Sequence, residues 1–152
     1  MYQHKPLKPG RNIRVLLLHP ATKLDAPINC SLKEMSLDDV AARKEYYSAL
    51  SYVWGAPTGD QPITCDGETL LVTPNCLSAL RHLRRRSRSR ILWIDAICID
   101  QNSIDEKNHQ VALMGDVYKL AEHVFIWFGA GDPAISKQLR NFNFPTLRLY
   151  VQ

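Results

Sequence analysis

No apolar run in this sequence approaches the roughly 18 to 20 residues that a membrane-spanning helix needs, the runs being short stretches such as 15–18. The first residues, where Lys5, Lys8 and Arg11 are interrupted by Pro6 and Pro9, offer no apolar core before a small-residue cleavage site, which argues against secretion. The four cysteines, Cys30, Cys65, Cys76 and Cys98, form no C-x-x-C pair and have no histidine at zinc-ligand spacing. They read as free thiols of a chain in a reducing compartment, the cytoplasm, and no metal site is expected. Neither a Walker loop nor a G-x-G-x-x-G run is present, so phosphate cradling of those kinds has no support. Internal repeats and low-complexity linkers are absent too.

What remains is ordinary globular material. The chain has 152 residues, 45% of them hydrophobic and 22% charged, enough for one domain to bury a core without staples. The net charge of +4 is modest, and much of it comes from Arg81, Arg84, Arg85, Arg86, Arg88 and Arg90. This cluster invites a nucleic-acid reading, but it lacks interleaved aromatics and ends a helix, where cations are favoured anyway. A solvated surface is the expected outcome, and DNA or RNA binding is the less favoured one.

Residues 13–18, β-branched and apolar between Gly10 and His19-Pro20, read as a buried strand, and the alternation over 28–37 suggests a second. A dense β-forming run at 46–55 is stopped by Gly55-Ala56-Pro57. Asp66-Gly67 between 63–65 and 70–72 marks a hairpin, placed at an edge of the sheet. Thr73 can cap a helix that has Pro74 at its first position, with Leu77, Leu80 and Leu83 on one side. The segment 91–99 is apolar except for Asp95, as in a strand buried on both faces. A helix follows to about residue 122, capped by Asn102 or Ser103, and 124–128 is the next buried strand. Strand and helix alternation predicts an α/β fold with a mostly parallel sheet, its central strands being 48–54, 91–97 and 124–128.

Three blocks carry a resemblance. Tyr47-Ser48-Ala49-Leu50-Ser51-Tyr52-Val53-Trp54-Gly55 resembles the opening signature of the fungal heterokaryon-incompatibility (HET) domain. Leu92-Trp93-Ile94-Asp95-Ala96-Ile97-Cys98-Ile99-Asp100-Gln101-Asn102, with Glu106-Lys107, Gln110-Val111, Met114 and Val117-Tyr118 after it, resembles the family's middle signature. Val124-Phe125-Ile126-Trp127-Phe128-Gly129 resembles its closing strand. Departures are small: Asp100 stands where the family often has Asn, and Phe128 where it often has Leu. The resemblance assigns a HET domain to residues 1–131, with blocks at 47–55, 92–118 and 124–129. Residues 132–152 form an atypical tail, read as a truncated continuation of the domain.

The family is distantly similar to TIR domains, which implies a TIR/flavodoxin-like sheet flanked by helices. It also implies a death-effector role in fungal non-self recognition, with TIR-like cleavage of NAD as a candidate activity. No cofactor is implied; NAD would be the substrate. Implied partners are a recognition domain or partner protein and a second copy of the chain, with no membrane. A self-associating interaction module without enzymatic activity is the alternative.

On the helix after residue 103, Val111, Leu113, Met114, Val117, Tyr118 and Ala121 form the expected apolar stripe. Glu106 and Gln110 share that face, and polar groups turned toward a sheet must be bonded or border a cleft. Glu106 is the catalytic candidate, a carboxylate that would oppose the positive charge on the sugar carbon when the nicotinamide bond breaks. Its competing reading is a carboxylate serving the helix N-terminus. Tyr52, Trp54, Asp95 and Gln110 are the candidate substrate-binding residues. For Tyr52 and Trp54 a core position competes with that role, for Asp95 a bond to loop amides does, and Cys98 reads as a core thiol.

Overall fold

The computed structural model describes residues 1–52 and 59–128, together with the backbone of a strand at 147–150. It has one mixed sheet of eight strands in the order β5-β4-β2-β1-β6-β3-β7-β8. The strands are β1 (Asn12–Leu18), β2 (Asn29–Ser36), β3 (Ser48–Tyr52), β4 (Gln61–Cys65), β5 (Glu68–Val72), β6 (Arg90–Trp93), β7 (Val124–Trp127) and β8 (Leu147–Tyr150). The helices are α1 (Leu37–Ala41), α2 (Pro74–Leu83), α3 (Asp95–Cys98) and α4 (Ile104–Leu120).

The expected central strands lie side by side as β6, β3 and β7, all parallel, and β8 continues that half of the sheet beside β7. The other half is not mostly parallel. β1 runs antiparallel to both β2 and β6, and only the β2–β4 pairing there is parallel. The hairpin of β4 and β5 ends the sheet at one edge, as its turn chemistry suggested. Asp66 and Gly67 hold φ values of 49° and 81°, the left-handed pair that a two-residue hairpin turn requires.

The parallel half is wound in two directions. The chain steps from β3 outward to β6 by way of the hairpin and α2, then returns across β3 to β7 through α4. The two helices cover opposite faces. On one, the Trp127 ring lies 4.9 Å from His82 of α2, and its Nε1 donates to Asn75 Oδ1 at 2.9 Å. On the other, Trp93 meets Tyr118 of α4 edge to face at 5.4 Å, and the Tyr47 hydroxyl donates to the Val117 carbonyl. Thr73 caps α2 by accepting from Cys76 N, and Pro74 takes the first helical position, where its missing N–H costs nothing.

Two local readings change. The strand expected over 91–97 stops at Trp93, and Asp95 opens the short helix α3 instead of interrupting a strand. A carboxylate is tolerated in a first helical turn and not in a doubly buried strand: Asp95 Oδ1 accepts from Ala96 N at 2.7 Å. On α4, capped by Ser103, the expected inward face holds at Gln110, Leu113, Met114, Val117, Tyr118 and Ala121, and only Val111 falls outside it. Val111 is 53% exposed while Gln110 is 1% exposed, its Nε2 donating to the Asn12 carbonyl. The bond to a backbone acceptor is what lets an amide take the buried place.

Candidate functional site at the carboxyl edge of the parallel strands

β3 leads on to α2 and β6 to α4, helices on opposite faces of the sheet, so the carboxyl ends of these two neighbouring strands mark the switch point between the faces. A cleft of about 150 Å³ lies there, walled by Tyr52 at the end of β3, Val72 and Thr73 between β5 and α2, Ala96 of α3, and Gln101. Gly59 forms part of the wall, and a Cβ there would fall on the backbone of Val72. Glycine is therefore required by close approach of two main chains.

The chemistry of the cleft centres on Tyr52. Its hydroxyl is buried with the Cys76 and Thr73 side chains close beside it, but forms no hydrogen bond of ordinary geometry among the described residues. Burial, with Cys76 and Asp95 adding to it, pushes the phenol well above its ordinary range, so it stays a donor. The Cys76 thiol is pushed up to about 12, first by burial and further by Asp95, and is no nucleophile near neutral pH. Asp95 is half-buried next to Ala96, and its negative charge also helps raise Tyr118 and Cys98. Gln101 ties the loop down by donating from Nε2 to the Asp95 and Ile99 carbonyls at 3.0 and 3.3 Å.

Glu106 and Gln110 stand apart from this group. The Glu106 carboxylate grips the Arg14 guanidinium with both oxygens, one of these bonds being 2.8 Å, and also accepts from Asp100 N at 2.9 Å. Arg14 further donates to the Cys98 and Lys5 carbonyls, so the pair joins β1, the N-terminal segment, α3 and α4. The segment is held elsewhere by Tyr2 N donating to the Thr69 carbonyl and His4 Nε2 to the Ile97 carbonyl, both at 2.7 Å. Burial alone would raise the Glu106 carboxyl, but Arg14 and the Asp100 N–H outweigh it and hold the pKa below its ordinary 4.5. An open groove of about 440 Å³ runs beside it, lined by residues 6–10, Ser103 and His109.

The structure thus brings together Tyr52 and Asp95 from the candidate set and holds Glu106 and Gln110 against β1. Trp54 lies outside the described residues. Thr73, Gly59 and Gln101 were missed, since nothing local in the sequence connects them. Arg14 left a signal, as the lone charge inside an apolar strand must have a partner. Among the described residues no group of three or more His, Cys, Asp or Glu is arranged to hold a metal ion. None of the described helices is long and apolar enough to cross a membrane.

Fold and cleft together define an α/β domain with a doubly wound parallel half and a small cleft of mixed polar and apolar lining at its carboxyl edge. Comparison with known proteins supplies the family: the model described as Heterokaryon incompatibility protein (HET) matches residues 47–147. The chain is also 35% identical over 145 residues to "Heterokaryon incompatibility protein 6, OR allele" of Neurospora crassa, an alignment covering 87% of this chain and 20% of that protein. The chain belongs to the heterokaryon incompatibility family, and it spans about a fifth of the length of this relative. No solved structure gives a significant match.

Proposed function

We propose that this domain is a cytosolic death-effector unit of fungal non-self recognition, and that it acts on a nucleotide, NAD being the candidate, at the carboxyl-edge cleft. The observation that carries the reading is the Tyr52 hydroxyl, buried at the cleft with only the Cys76 and Thr73 side chains beside it and no hydrogen bond of ordinary geometry among the described residues. Leaving such a group unsatisfied costs about 1 to 3 kcal/mol, which a ligand acceptor would return. Family membership adds the biological setting. The order β6-β3-β7-β8 corresponds to the opening 2-1-3-4 order of doubly wound, flavodoxin-like sheets, whose ligands sit beyond the carboxyl ends of the strands. The TIR-like aspect of the proposal rests on that order.

A cleft of about 150 Å³ takes in one end of a dinucleotide and not the whole of it. With the nicotinamide ribose there, the bond between the sugar carbon and the ring nitrogen breaks. The electron pair leaves with nicotinamide, positive charge develops on the sugar, and water completes the product. Asp95, beside the cleft-lining Ala96 and close enough to act on the Tyr52 phenol, is the carboxylate that would oppose that charge. The catalytic role proposed for Glu106 requires it to leave Arg14 first. Incubating the protein with NAD and following free nicotinamide tests the reading: turnover is expected in the wild type and in a folded Glu106→Gln variant, with a loss of about 10² or more in Asp95→Asn. Full turnover in Asp95→Asn, or none in the wild type, contradicts it.

A second reading, self-association without chemistry, is favoured by Ile104 and Val111, which stand 76% and 53% exposed two turns apart on α4. Sedimentation of Ile104→Ser and Val111→Ser variants tests it. An assembly that survives both changes argues against that face.

A further inference from the structure

At the amino end of the parallel strands, opposite the proposed nucleotide cleft, the β1–β2 loop meets the C-terminal end of α2. A separate cleft of about 120 Å³ lies between them, with residues 21–24 on one side and Arg81, Arg84 and Arg86 on the other. Arg84 is not the solvated side chain expected from the sequence. It is only 9% exposed, and its two terminal nitrogens donate to the carbonyls of Lys23, Leu24, Ala26 and Pro27 at 2.9 to 3.0 Å. Those acceptors are neutral, so they fix the guanidinium and fold the loop around it without cancelling its charge.

Nothing else nearby cancels it through an ion pair. Arg81, Arg84, Arg86 and Lys23 form no salt bridge among the described residues. Arg81 Nε is buried there without a hydrogen-bond partner. Burial and then the charge of Arg81 both disfavour the charged form of Arg84, with Asp25 acting in the other direction. Like charges gathered in a concave, partly dry place, one of them immobilised, are arranged for an anion that is not part of the chain. Guanidinium groups suit planar, multidentate recognition of oxyanions.

We propose that this cleft is an oxyanion site for a compact phosphate-bearing ligand, with Arg84 as its fixed floor, Arg81 and Arg86 as donors that close on it, and Lys23 at the rim. The site, of about 120 Å³ and bordered by the 21–24 loop, is too small for a nucleic-acid duplex. Arg85 and Arg88 do not line it, whereas a duplex would draw on the whole cluster.

The probe is inorganic pyrophosphate, titrated calorimetrically into the full chain at low ionic strength. Saturable binding is expected, weakened by added salt, about tenfold or more weaker in Arg81→Gln and in Arg86→Gln, and unchanged in Arg88→Gln. Arg86 is exposed, so its variant keeps the test decisive even where Arg81→Gln loosens the helix end; melting curves report the folding of each. Absence of saturable binding, or wild-type affinity in both Arg81→Gln and Arg86→Gln, overturns the proposal. So does tight binding of a short DNA duplex that Arg88→Gln weakens as much as Arg81→Gln does.

Discussion

Substituting Gln for Glu106 keeps the shape of the side chain and removes the charge that Arg14 faces. The side chains of Arg14 and Glu106 are 5% and 13% exposed, so water cannot replace the lost carboxylate. Breaking a buried ion pair by removing one partner costs about 3 to 5 kcal/mol. The Gln amide oxygen retains one acceptor, and Arg14 keeps the Lys5 and Cys98 carbonyls, so the expected loss is about 2 to 4 kcal/mol in urea unfolding at neutral pH. Arg14→Met combined with Glu106→Leu should recover much of that loss, because an apolar pair leaves no buried charge unmatched. The folded-state pKa of Glu106 is depressed, so its contribution is complete above about 4.5 and is lost as pH falls through the lower folded value. The gap between wild type and Glu106→Gln should therefore narrow on acidification. A variant within about 0.5 kcal/mol of the wild type at neutral pH would refute the reasoning.

Arg84→Gln should destabilise by about 2 to 3 kcal/mol, since four hydrogen bonds from a charged donor hold residues 23–27, whereas Arg88→Gln should change stability by less than about 0.5 kcal/mol. Equal melting temperatures for the two would contradict the buried placement. Gly59→Ala should cost about 1 to 3 kcal/mol and distort the cleft, because its Cβ meets the Val72 main chain; a neutral effect would show that the two segments separate easily. Tyr52→Phe should change stability by less than about 0.5 kcal/mol, as only the Cys76 and Thr73 side chains adjoin the hydroxyl and neither bonds it in ordinary geometry, while weakening ligand binding. A marked loss of stability would mean that the hydroxyl is bonded in the folded protein.

Much of the scaffold was legible because its signals are local. The Asp66-Gly67 turn, the Thr73-Pro74 helix start and the apolar runs of β1, β3 and β7 each depend on a few adjacent residues. The misses come from tertiary partners. Arg14 and Glu106 are 92 positions apart, so the apolar strand around Arg14 signals that it needs a partner without saying which, and Arg84 finds its four carbonyls about 60 positions away, in a cluster whose neighbours read as solvated. Gln110 takes the inward place its helical spacing gives it, and its acceptor, the carbonyl of Asn12, is 98 positions away; Val111, expected on that face, lies outside it. Asp95 interrupts an apolar run in the sequence, and that run hides the start of α3. The cleft draws its walls from several separate segments, and only Tyr52 among the expected site residues lines it.

The central claim, that the carboxyl-edge cleft and not the groove beside Glu106 receives the nucleotide, is tested most directly by mapping amide chemical-shift changes as NAD is titrated into the isotope-labelled protein. Changes concentrated at Tyr52, Thr73, Ala96 and Gln101 are expected, reduced in the Tyr52→Phe protein. Changes centred on Ser103, Glu106 and His109 would contradict the claim, as would the absence of any saturable change.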